Sequence, residues 1–115
     1  MSETLREKQS RFARMVARLI DKAVEMGFEI TLGDAFRDPR VFGEVGVYKG
    51  YGNAGSAHKQ RLAIDINLFK NGVYLGTTEA HQLLGEWWES QGGAWGGRFS
   101  ESDGNHYSVE HNGVR

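Results

Sequence analysis

The 115 residues predict an α+β domain, a small antiparallel sheet with flanking helices. Three observations point there. The chain opens with a long stretch of helical hydrophobic periodicity, and two later runs alternate with period two. Glycine occurs 16 times against one proline, a composition that asks for many tight turns and close backbone approaches. The length suits one domain spanning residues 1–115.

Leu5, Phe12, Met15, Val16, Leu19, Ile20, Ala23 and Val24 recur at three- and four-residue intervals, with Arg6, Arg11, Arg14, Arg18 and Lys22 largely between them. Thr4 followed by Glu7 fits a capping box and Gly27 fits a left-handed helix end, which places a helix over 4–26. Its basic face is diluted by Glu7, Asp21 and Glu25 and reads as solvated. Phe28, Ile30 and Leu32 then alternate with Glu29 and Thr31 as a half-buried strand ending at Gly33. Residues 34–57, with Pro39 and glycines at 43, 46, 50, 52 and 55, form a long loop of the kind that is usually functional or mobile. A second strand follows in which Leu62, Ile64, Ile66 and Leu68 alternate with Ala63, Asp65 and Asn67, one face aliphatic and the other carrying a carboxylate. Asn71-Gly72 turns it as a hairpin into residues 73–75. Leu83, Leu84, Trp87 and Trp88 mark a second helix over 78–91, stopped by Gly92-Gly93. Residues 106–111 read as a last short strand with His106, Ser108 and Glu110 on one side.

Charge and composition narrow the function. Fourteen basic against 15 acidic residues leave a formal charge of −1, without the footprint of a general nucleic-acid binder. No apolar run approaches the roughly 20 residues of a membrane span, so no stable membrane insertion is expected. The polar amino terminus is unlike a signal peptide, which predicts synthesis in the cytoplasm. With no cysteine, any metal must be held by histidine and carboxylate.

Asp65 is presented from a sheet, where a carboxylate needs a partner; considered alone, such an aspartate is more often a salt-bridge or turn residue. Its surroundings alter that reading. Ser56-Ala57-His58-Lys59-Gln60-Arg61-Leu62-Ala63-Ile64-Asp65 resembles the S-x-H-x-x-G-x-A-x-D signature of the zinc peptidases that include D-alanyl-D-alanine carboxypeptidases, D-Ala-D-Ala dipeptidases and phage L-alanyl-D-glutamate endolysins. Ser56, His58, Ala63 and Asp65 match, and Arg61 stands where the signature has glycine. Asp103-Gly104-Asn105-His106 resembles the family's downstream motif, an acidic residue three positions before a histidine, with the aspartate similar to the endolysin branch. The likeness extends to residues 31–37 and 95–99 and spans about 28–111. It implies a hedgehog/D-Ala-D-Ala-peptidase-like zinc domain.

The resemblance implies that His58, Asp65 and His106 hold Zn²⁺, a set that leaves the fourth coordination position for water, with Asp103 as the base. Arg37 is expected to meet a substrate carboxylate or the developing oxyanion, or else to pair with Asp34 or Asp38. Ser56 is expected to steady the loop or contact substrate, or to be a plain turn residue. His81 reads as a surface residue and His111 as packed or supporting rather than ligating. Trp87 and Trp88 read as core and rim of their helix, while Trp95 stays open between core and substrate groove.

The leading expectation is therefore a zinc peptidase of bacterial peptidoglycan stem peptides, cutting between L-Ala and D-Glu as a phage or prophage endolysin. It would be made in the host cytoplasm, reach the wall after release and act as a monomer. The alternative is a carboxypeptidase removing terminal D-Ala. An iron oxygenase triad fits less well, because the jelly-roll type sets its first histidine and carboxylate two residues apart and needs many more strands. A binding domain that has lost activity sits poorly with retention of all four residues, His58, Asp65, Asp103 and His106.

Overall fold

The computed structural model describes residues 3–38 and 56–115. Pro39 and the glycines between 43 and 55 lie outside the described residues. Helix α1 (Leu5–Glu25) begins at the expected capping box: the Thr4 hydroxyl accepts from the Glu7 amide at 3.1 Å, and the Glu7 carboxylate accepts from the Thr4 amide at 3.1 Å. It ends before Gly27, whose φ of 94° is open to glycine without strain. Phe12, Met15, Leu19 and Ala23 form its buried stripe, while Val24, placed in that stripe by periodicity, is exposed.

Among the described residues the sheet has five antiparallel strands, so the α+β architecture is the one expected. Strand β2 (Ala63–Lys70) is its axis. It pairs with β1 (Glu29–Leu32) along one edge and turns through Asn71 and Gly72, both at positive φ, into β3 (Val73–Leu75). Its first residues pair instead with β5 (His106–Ser108), which in turn pairs with the two-residue β4 (Ala94–Trp95). Leu62, Ile64, Ile66 and Leu68 are buried as their alternation predicts. Leu32 is not: it is 61% exposed at the end of the edge strand β1. The strand β4 went unanticipated because two residues carry no periodicity.

Helix α2 (Gln82–Ser90) packs under the sheet, and the turn before it, Glu79–His81, is 3₁₀ rather than α. Trp88 joins the layers, its ring edge-on to Phe12 of α1 and Tyr107 of β5 at 6.0 Å each. Its indole N–H donates to the carbonyls of Ala94 and Ser108 at 3.1 and 2.9 Å, tying α2 to both β4 and β5. Among the described residues no helix is long and apolar enough to cross a membrane.

The 3₁₀ start moves His81 inward, correcting its reading as a surface residue: it is buried and shares a 2.7 Å hydrogen bond with the Tyr107 hydroxyl. Burial lowers its pKa to about 4. Trp95 is also core, its indole N–H donating to the Gly104 carbonyl at 2.7 Å. Gly85 of α2 and Gly97 clasp that ring, since a Cβ on either would come within 2.2 and 2.4 Å of it respectively. Gly96 is constrained from another direction: a Cβ there would lie 2.1 Å from the Asp103 carbonyl oxygen and 2.7 Å from the His106 Cβ.

Gly96→Ala should cost about 2 kcal/mol of stability through overpacking, read from urea denaturation. For His81, the unfolded chain takes up a proton near pH 6.5 while the folded chain resists until about pH 4, so its contribution is complete above 6.5 and lost as pH falls through that window. His81→Gln should flatten the fall in stability between pH 6.5 and 4, by about 2 kcal/mol relative to the parent; an unchanged pH slope would refute it.

Candidate metal centre

Each candidate residue is held by a different local device. His58 lies in the 3₁₀ turn Ala57–Gln60, which Ser56 caps by accepting from the His58 amide at 3.2 Å. The turn ends at Arg61 in the left-handed region, φ 58° and ψ 36°. This explains the signature's glycine at that place, and here a non-glycine residue occupies it at a cost of roughly 1–2 kcal/mol. The Arg61 guanidinium lies 4.0 Å from the centre of the Phe36 ring, a contact that offsets part of that cost.

Asp65 and His106 are direct partners across the β2/β5 ladder, so both side chains project from the same face of the sheet. On the other edge of β2 the Asp65 amide donates to the Asp34 carbonyl at 2.9 Å, and the Asp65 carbonyl accepts from Gly33 at 2.8 Å. That pairing carries the chain past the site to Arg37, whose amide donates to the His58 carbonyl at 3.1 Å. Asp103 and His106 close a turn through a 3.1 Å bond from the His106 amide to the Asp103 carbonyl, and the Asp103 amide donates to Gly96.

His58 Nε2 lies 3.2 Å from Asp65 Oδ1, and His106 Nδ1 lies 3.8 Å from the same oxygen. The ligand atoms of the three residues all fall within 4.8 Å of one another. Asp65 Oδ1 is buried, yet neither contact satisfies it as a hydrogen bond. Three lone-pair atoms that approach without bonding one another point to a common partner between them. Ligands about 2 Å from a tetrahedral ion stand roughly 3.3 Å apart, so this donor set fits Zn²⁺. Among the described residues no other three histidines or carboxylates gather in this way.

Electrostatics favour the same use. Burial, then the neighbouring His58, lowers the His106 pKa to about 4, so the ring is neutral at pH 7 and its lone pair is not occupied by a proton. Asp103 is pushed above the ordinary carboxylate value, first by desolvation and then by the charge of Asp65, with His58 and Arg37 opposing.

The six residues expected to act all come to one place. Arg37, Ser56, His58, Asp103 and His106 line a cleft of about 750 Å³, with Asp65 between the two histidines. Arg37 is buried, and its guanidinium donates to the Ser56 hydroxyl at 2.8 Å while standing 3.8 Å from Asp34. Arg37 thus pairs with Asp34 while lining the cleft, and Ser56 is more than a turn residue, since one hydroxyl caps the His58 turn and anchors Arg37. His111 is outside the cluster and accepts from the Lys8 ammonium at 3.1 Å. Phe99, Glu101 and Arg115 also line the cleft and carried no local sequence signal for that role.

No curated protein matches the chain. The sequence model of the D-alanyl-D-alanine carboxypeptidase family matches residues 49–109, which is more than half of the chain and takes in His58, Asp65, Asp103 and His106. The chain belongs to this family of peptidoglycan-acting peptidases.

Proposed function

We propose that the chain is a zinc peptidase that hydrolyses peptidoglycan stem peptides at the L-alanyl-D-glutamate bond, an endolysin of phage or prophage type. The observation that carries the metal reading is the approach of His58 Nε2, Asp65 Oδ1 and His106 Nδ1 without hydrogen bonds among them. Bound there, Zn²⁺ supplies Lewis acidity for the scissile carbonyl and lowers the pKa of water toward 7.

The chain's own residues do the rest. Asp103 takes the proton of the attacking water and passes it to the leaving amine, and its raised pKa suits a group that must hold and then release that proton. Arg37 steadies the carbonyl oxygen or a carboxylate of the peptide, while Ser56 fixes its direction. The choice of bond is supported by aspartate rather than glutamate at 103, similar to the endolysin branch. Removal of terminal D-Ala is the second reading, favoured by the description of the matching family. The enzyme acts as a monomer on the wall after release from the host cytoplasm.

His58→Ala and Asp65→Ala should lose both bound zinc and turnover, whereas Asp103→Asn should keep stoichiometric zinc and lose turnover by at least about a hundredfold. Equal zinc content in all three, measured by plasma emission, would remove the metal assignment. Mass spectrometry of digested peptidoglycan decides the bond: new L-Ala carboxyl and D-Glu amino ends are expected, and free D-Ala would move the chain to the carboxypeptidase reading.

A further inference from the structure

Arg115 lines the same cleft as His58 and His106 but takes no part in the chemistry above. Its guanidinium carbon lies 5.2 Å from the centre of the Phe99 ring, and that ring lies 5.1 Å from the ring of His106. A cation therefore stands one aromatic ring away from a metal-ligating imidazole. The backbone that delivers it is fixed from across the molecule. The Lys8 ammonium of α1 donates to the Glu110 carbonyl and to His111 Nδ1, each at 3.1 Å, and His111 and Val114 exchange two backbone hydrogen bonds of 2.8 and 2.9 Å. Among the described residues no carboxylate lies within ion-pair distance of Arg115.

A guanidinium stacked on an aromatic face is held in orientation while its N–H edge stays open, the geometry that takes a carboxylate with two parallel hydrogen bonds. Arg37, by contrast, is buried and directed by Ser56 and Asp34. In a stem peptide D-Glu is joined onward through its side-chain carboxyl, so its α-carboxylate is free on the leaving side of the L-Ala–D-Glu bond. The two ring contacts put the guanidinium at most about 10 Å from the His106 ring, a span that a metal–ligand bond, one extended residue of roughly 3.5 Å and a bidentate contact together cover.

We propose that Arg115, seated on Phe99, is a specificity-determining residue that binds the free α-carboxylate next to the scissile bond and selects against its amide. The inference rests on the stem-peptide reading above. Two synthetic peptides test it, L-Ala-γ-D-Glu-L-Lys and the same peptide with the D-Glu α-carboxylate amidated. The zinc-loaded parent should prefer the acid by about tenfold in kcat/KM, and Arg115→Gln should lower turnover of the acid to the level of the amide with the amide unchanged. Calorimetric binding of the γ-D-Glu-L-Lys product should weaken to a similar degree in the variant, while zinc content and melting temperature stay at the parent's values. A variant that keeps the parent's preference, or that loses both substrates equally, overturns the role of Arg115 alone. A parent that cuts neither peptide overturns the stem-peptide reading and this inference with it.

Discussion

The site depends on one cross-strand pairing, Asp65 of β2 opposite His106 of β5. Side chains of directly opposed residues share a face, so register alone brings a carboxylate and an imidazole together. A slip of one residue would set Ile64 or Ile66 in place of Asp65 and turn the aliphatic face of β2 outward. The hydrophobic alternation of Leu62, Ile64, Ile66 and Leu68 therefore protects the polar pair, since the core tolerates no other register. Function and folding draw on the same ladder.

The second constraint is how little freedom surrounds that pair. Ser56 joins the cap of the His58 turn to Arg37, and Gly33 and Asp34 bind the backbone of Asp65 from the opposite edge. Each polar group near the centre is thus directed by a neighbour whose main task is structural. The left-handed Arg61 shows the same economy: it closes the His58 turn in a conformation glycine would take at no steric cost, and its contact with Phe36 ties that turn to the segment bearing Arg37.

What was legible in the sequence is what short-range chemistry encodes. The capping box at Thr4 and Glu7, the turn at Asn71-Gly72 and the alternation of β2 each depend on neighbours within a few residues. The spacing of His58 and Asp65 was legible for a related reason, because a turn leading into a strand sets their separation. The burial of His81 was not, since it depends on Tyr107, 26 positions on, and on a first helical turn wound as 3₁₀. Nor was the role of Trp95, whose partner Gly104 is fixed only when the chain folds back toward β5. Arg115 meets Phe99 at the end of a segment that Lys8, over a hundred positions earlier, holds at Glu110 and His111, a contact no local pattern carries.

Trp95 also bears on how the site moves. Its ring is clasped by Gly85 and Gly97, and its N–H holds the carbonyl of Gly104, the residue after Asp103. A backbone excursion at Asp103 must therefore disturb an indole seated on α2, which couples the turn to the slowly exchanging interior rather than to the fraying surface. The motion left to Asp103 is rotation of its own side chain, on the picosecond to nanosecond scale. Larger openings there become rare, cooperative events, and the proton transfer proposed for Asp103 has a backbone that is already in place.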